Sequence, residues 1–214
     1  MFEYLKGRSP KSIDADSYRK FAVMAAVIQL DGEPHIVFEK RAVGLKRQPG
    51  EICLPGGARD GEETAEDNAV RETMEELKVS REQIHVIAQM DTLLTAYDNK
   101  VSVFLCELTD YQMTFSEAEV AEVFTVPLAF FMETEPDVYV NTVKLITPEN
   151  FPYDRVPGGR QYHWRDGHKN VYFYYYEDKV IWGMTAYIMQ GIVKTLRNEA
   201  GNDTEGKEAQ YEKG

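Results

Sequence analysis

A chain of 214 residues with 43% hydrophobic and 28% charged composition suits one soluble globular domain rather than two. Its formal net charge of -12 argues against nucleic acid or an anionic membrane as a partner, because phosphate groups reward clustered Lys and Arg. The longest apolar run, Phe21 to Ile28, is far below the roughly 20 residues of a spanning helix, and the opening MFEYLKGRSPK lacks the apolar stretch of a secretory signal, so a cytoplasmic protein is expected.

Residues 9–20 carry Ser and Asp start signals before a few helical residues. Residues 20–30 (KFAVMAAVIQL) and 34–42 (PHIVFEKRA) read as strands joined by the turn Asp31-Gly32-Glu33. A loop follows over 43–57, broken by Pro49, Gly50, Pro55, Gly56 and Gly57, and Glu62 to Leu77 contains no Gly or Pro and has helical spacing at Ala65, Ala69, Thr73 or Met74, and Leu77. Strands are expected in 83–96 and 100–108 around the turn Tyr97-Asp98-Asn99, and a strand feeding a short helix is expected at Pro127. Residues 142–146, 160–164 and 170–177 add strand candidates, Trp182 to Leu196 returns to helical spacing, and 198–214 reads as a disordered polar tail. The pattern divides the chain into an extension over 1–20, a domain over 21–197 and that tail, with a mixed sheet flanked by helices.

Two isolated cysteines, Cys53 and Cys106, favour free thiols over a disulfide or zinc site, and the four histidines show no metal-binding pattern. The aromatic run Tyr172 to Tyr176 reads as sheet packing, and Pro157 to Arg160 as a turn.

The predicted helix at 62–77 is the chemically unusual element. Eight carboxylates lie between Asp60 and Glu76, with Arg71 as the one basic residue among them. Glu72, Glu75 and Glu76, at i, i+3 and i+4, point toward one patch of space. Arg71 has Asp67 one turn away and Lys78 is within reach of Glu75, but Glu76 has no basic residue at helical spacing. A solvated acidic face is one reading; a hard divalent cation such as magnesium, which takes carboxylate oxygens and substrate phosphates, is the other.

The order of residues decides between them. Gly57, Glu63, Arg71, Glu72, Glu75, Glu76 and Val79 stand in the register of the Nudix hydrolase signature, which this segment resembles; Thr73 replaces an apolar residue and Lys78 a glycine. The resemblance implies an α/β fold, a Nudix-type α/β/α sandwich with a mixed β-sheet and a loop-helix-loop catalytic motif. It implies hydrolysis of a diphosphate in which Glu72, Glu75 and Glu76 hold Mg2+, or Mn2+ in its place, and in which the metal lowers the pKa of a bound water. Arg71 and Glu63 would orient the carboxylates, Gly57 would let the backbone come close, and Glu119 or Glu122 would supply a further ligand or a general base.

Upstream, Arg41, Ala42, Lys46, Gly50, Pro55, Gly56 and Gly57 resemble the signature of the coenzyme A pyrophosphatase subgroup, with Lys46 where Arg is usual, Leu54 for Phe, and Val37-Phe38-Glu39 for Leu-Leu-Thr. The stretch 173–189 is similar to the end of such enzymes. This implies coenzyme A or an acyl form as substrate, 3',5'-ADP and 4'-phosphopantetheine as products, and Arg41, Lys46 and Arg47 as a basic patch for an additional phosphate. The expected partner is therefore a small nucleoside diphosphate derivative, with a homodimer compatible with the sequence. Another nucleoside diphosphate (ADP-ribose, a dinucleotide or an oxidised nucleotide) and a noncatalytic ligand-sensing domain are the competing readings.

Overall fold

In a computed structural model the described residues are 3, 6, 7, 9, 13 and 17–211. The helical residues expected between 9 and 20 lie for the most part outside them; Ser17 and Tyr18 form a turn and bend leading into the first strand.

Strands β1 (Arg19–Leu30) and β2 (Glu33–Arg41) form the expected hairpin, followed by the short β3 (Ile52–Cys53) and β4 (Gly56–Ala58). Helix α1 (Ala65–Leu77) leads to β5 (Ile84–Gln89), β6 (Leu93–Leu94), β7 (Asn99–Leu108) and β8 (Val120–Pro127), and Pro127 opens α2 (Leu128–Glu133). Strands β9 (Asp137–Val143), β10 (Gly167–Tyr176) and β11 (Lys179–Trp182) precede α3 (Gly183–Tyr211).

The main sheet runs β3-β2-β1-β7-β5, with β4 also paired to β1, β6 to β7 and β8 to β2. It is mixed, because β1 and β7 are parallel while β1 and β2 are antiparallel. Side-chain alternation along β1 explains its unbroken apolar run: Ala22, Met24, Ala26 and Ile28 enter the core under α1, whereas Ala25 and Val27 enter a second core. That second core contains Phe131 of α2, Tyr174 of β10, and Met189 and Ile192 of α3. A sheet covered on both faces has no polar side to display.

A smaller antiparallel sheet, β11-β10-β9, packs beside this core and leaves β9 exposed along its whole length. Tyr174 is fully buried and Tyr172 and Tyr176 pack on the same core, so the aromatic run serves packing as expected on that face. Phe173 instead stacks on Trp182 at 5.6 Å.

Two expectations change. Residues 160–164 are not a strand: Gly158 and Gly159 take φ of +85° and +55° to start a 3-10 turn, and Tyr162 and Trp164 meet each other edge-on rather than a neighbouring strand. The strand expected at 142–146 comes earlier, because the pairing of β9 with β10 ends at Val143. Helix α3 runs from Gly183 to Tyr211, a stretch that no proline interrupts. Among the described residues no helix is long and apolar enough to cross a membrane.

Candidate active site

The site begins with a glycine turn against the central strand. β4 pairs with β1, with Gly56 opposite Val23 and Gly57 opposite Ala22. Gly56 has φ +152°, and a Cβ there would lie 2.3 Å from the Ala22 carbonyl oxygen. Gly57 serves a different purpose: a Cβ on it would come within 2.5 Å of the Glu72 carboxylate, so its bare backbone is what lets that side chain approach.

Helix α1 is docked over this turn. Thr64 caps it, its Oγ1 accepting from the Asp67 N–H at 3.1 Å and donating to Asp67 Oδ2 at 2.7 Å. The cap starts the helix three residues later than the Glu62 expected from Gly and Pro spacing, and it occupies the Asp67 carboxylate that the sequence offered to Arg71. Asn68, fully buried, donates from Nδ2 to the Ala58 carbonyl at 3.2 Å and fastens helix to turn. Thr73 packs in the core with its hydroxyl donating to the Ala69 carbonyl at 2.7 Å, which satisfies the polar group at this otherwise apolar position.

Arg71 is the hub of the acidic face. Its Nε and one terminal nitrogen reach the two oxygens of Glu63, both at 3.2 Å. It also meets Glu72 at 2.9 Å and Glu75 at 3.4 Å. These bonds hold Glu63 below the ordinary carboxylate range and raise the proton affinity of Arg71. One cation thus aligns three carboxylates.

Glu76 faces inward instead. It is 4% exposed, and its Oε2 accepts the Gly56 N–H at 2.8 Å. Burial, then the charges of Glu39 and Glu72, push its carboxyl upward, opposed by the Gly56 amide and Arg41. Burial likewise raises Glu72 against the pull of Arg71. The amide bond and the helix position bring Glu72 and Glu76 to the same glycine turn.

The sequence pattern did not single out Glu39 as a site residue. It sits on β2, fully buried, with its carboxyl raised first by burial and further by Glu119 and Glu72, while Cys53 and Arg41 act the other way. Cys53 Sγ donates to Glu39 Oε1 at 3.2 Å, and burial together with that neighbouring charge keeps the thiol protonated far above its usual range. The one signal in the sequence was the Glu itself, standing where Thr is usual in the subgroup that the loop resembles.

The remaining expected residues divide. Arg41 borders the cluster, lowering both Glu39 and Glu76 by its charge, and its Nε donates to the Arg47 carbonyl at 3.4 Å. Lys46 and Arg47 are exposed on the loop between β2 and β3. Glu119, exposed just ahead of β8, acts on Glu39 and Glu72 through its charge, and its carbonyl accepts the Ala42 N–H at 2.9 Å. Glu122 does not join them: it pairs with Lys179 of β11 at 2.7 Å. Strand parity explains why, since Glu122 shares its face of β8 with Val126 of the second core, while Val123 packs toward α1.

Among the described residues no three His, Cys, Asp or Glu side chains are placed ready to hold a metal ion; Glu72 and Glu75 turn to Arg71, and Glu76 turns to the Gly56 amide. The donor set nevertheless fits a hard cation. Buried carboxylates repel one another here, and Glu39 Oε2 is buried with no hydrogen-bond partner.

A mixed sheet between helical layers, with a glutamate-bearing helix docked on a glycine turn at one end, defines an α/β protein of the Nudix class. The chain belongs to that family: the NUDIX domain model matches residues 19–145. Peroxisomal coenzyme A diphosphatase NUDT7 of Mus musculus is 34% identical over 125 residues, 58% of this chain and 52% of its own length. Nudix hydrolase 3 of Caenorhabditis elegans is 28% identical over 54% of this chain and 50% of its own, so this chain spans about half the length of both relatives. An uncharacterized Nudix hydrolase, NudL, of Yersinia enterocolitica is 26% identical across 90% of this chain and 88% of its own. Among solved structures, a Nudix hydrolase from M. smegmatis, RenU, covers 52% of this chain and 72% of its own at 22% identity and a TM-score of 0.44, too distant a likeness to bear on function.

Proposed function

We propose that this protein is a divalent-metal-dependent pyrophosphohydrolase whose substrate is coenzyme A or an acyl-coenzyme A, cleaved to 3',5'-ADP and 4'-phosphopantetheine or its acyl form. The observation that carries this reading is the approach of Arg41, at the root of a basic loop, to the buried carboxylates around Glu76. A guanidinium there would suit phosphate oxygens beside a bound cation, in a chain whose overall charge repels anions. The 34% identity to a coenzyme A diphosphatase supports the same substrate.

Glu72, Glu75 and Glu76 would hold Mg2+ or Mn2+, and such an ion supplies Lewis acidity toward the diphosphate and the attacking water. Arg71 fixes the rotamers of Glu72 and Glu75 through the ion pairs described, and Glu63 in turn holds Arg71 in place. The Gly56 amide orients Glu76. Lys46 and Arg47, on the exposed loop that follows Arg41, are suited to the additional phosphate of coenzyme A. Glu119 is the better placed of the two candidate bases, because Glu122 is engaged by Lys179.

Product analysis with coenzyme A, acyl-coenzyme A, ADP-ribose, dinucleotides and oxidised nucleotides, each with Mg2+ or Mn2+, tests the proposal. Release of 3',5'-ADP with the highest kcat/KM is the expected outcome; preference for another member of the panel would replace the substrate, and no turnover of any would leave a ligand-sensing domain. Glu76→Gln should lower turnover by at least about two orders of magnitude while preserving the fold, because the amide still accepts the Gly56 N–H.

A further inference from the structure

Glu39 has an unusual environment for a strand residue. Its side chain is fully buried, one oxygen accepts from the Cys53 thiol at 3.2 Å, and the other, Oε2, has no hydrogen-bond partner. A buried carboxylate oxygen without a donor is costly, and the charge is costlier still unless a cation meets it. Threonine would suit the same strand position without burying an acid.

The placement of the strand aims this carboxylate. Val37, two residues earlier, packs in the core beneath α1, so Glu39 lies on the α1 face of the sheet. The groups that act on it electrostatically are Glu76 and Glu72 of α1, Glu119 ahead of β8, and Arg41. It therefore belongs to the same patch as the α1 glutamates, although it arises from a different element.

We propose that Glu39 is a further carboxylate of the divalent-cation site, offering its unpartnered Oε2 beside Glu72 and Glu76 to a hard ion of the Mg2+ or Mn2+ class. The inference rests on the reading that Glu72 and Glu76 hold such an ion. An additional buried anion strengthens the attraction for a dication, and its hydrogen bond from Cys53 orients it as outer groups orient metal ligands elsewhere.

Mn2+ titration of the full chain, followed by the electron paramagnetic resonance of free Mn2+, tests this in the unsubstituted protein and in Glu39→Gln, Glu39→Thr and Glu76→Gln. Thermal unfolding is measured without and with the ion. Both Glu39 variants should bind Mn2+ at least about tenfold more weakly, while their metal-free Tm holds or rises, because an unpartnered buried charge has gone. Binding as tight as in the unsubstituted chain, a lowered metal-free Tm with unchanged affinity, or loss of fold in both variants would assign Glu39 to packing and overturn the proposal. Binding lost in Glu76→Gln but intact in the Glu39 variants removes Glu39 alone from the site. Absence of Mn2+ binding in the unsubstituted chain removes the metal reading with it.

Discussion

Two adjacent glycines do different work, and substitution separates them. At Gly56 the obstacle is backbone: φ is +152° and an added Cβ would meet the Ala22 carbonyl at 2.3 Å and Val23 Cα at 2.6 Å. Gly56→Ala is expected to cost about 3 kcal/mol or more of stability, read as a shift in denaturant midpoint. At Gly57 the obstacle is the end of one side chain, the Glu72 carboxylate at 2.5 Å, and φ is not in the glycine-favouring region. Gly57→Ala should therefore leave stability within about 1 kcal/mol but displace Glu72 and lower kcat by at least about tenfold. A large loss of stability in Gly57→Ala with normal kcat would contradict the division. Gly57, Glu63, Arg71, Glu72 and Glu76 were legible because their spacing along one turn and one helix is itself the signal. Glu39 was not, because its role depends on which face of β2 it takes and on which strand lies beside it.

At the scale of elements, α1 illustrates where the sequence and the backbone part. Its start depends on Thr64 accepting the Asp67 N–H, a local competition that apolar periodicity does not register. Its end is at Lys78, in the left-handed region at φ +55°. The glycine usual there in the signature would take this conformation without strain; a lysine does not. The final carbonyls are satisfied from outside the helix, Glu76 by the Ser116 N–H at 2.7 Å and Leu77 by the Thr114 hydroxyl at 2.8 Å, so the loop before β8 helps keep Lys78 in place. Lys78→Gly should raise stability by about 0.5–1 kcal/mol, the left-handed strain relieved less the greater unfolded-state entropy of glycine. Chemical denaturation measures it, and a decrease would mean that Lys78 makes a stabilising contact of its own. The strand expected at 160–164 fails for a related reason: two left-handed glycines turn the chain before its aromatic residues can pair along a neighbour.

The layered architecture was legible as a whole because β1 is apolar on both faces and α1 on one, a combination that a sheet between helices satisfies. It also collects the acids of β2 and α1 at one buried place, and this links folding to pH. Burial raises Glu39, Glu72 and Glu76 above the ordinary carboxylate value of 4.5. Above that value the unfolded chain has released protons that the metal-free folded chain still holds. The contribution of these groups is therefore fully present in acid and is lost as pH rises through their raised values. Glu63, lowered by Arg71, behaves oppositely, contributing above its ordinary value and losing that contribution only on acidification, so it adds little slope near neutrality. Each tenfold difference in proton affinity that is titrated corresponds to about 1.4 kcal/mol, or roughly 3–6 °C in Tm for a chain of this size. The metal-free protein should consequently melt several degrees lower at about pH 8 than at about pH 5.5, a difference that Glu39→Thr and Glu76→Gln reduce. Mn2+ should raise Tm more at the higher pH, where the carboxylates it meets are ionised. A metal-free Tm that climbs across the same range would mean that these carboxylates are not held in the buried, mutually repelling arrangement on which both the cation site and its pH dependence depend.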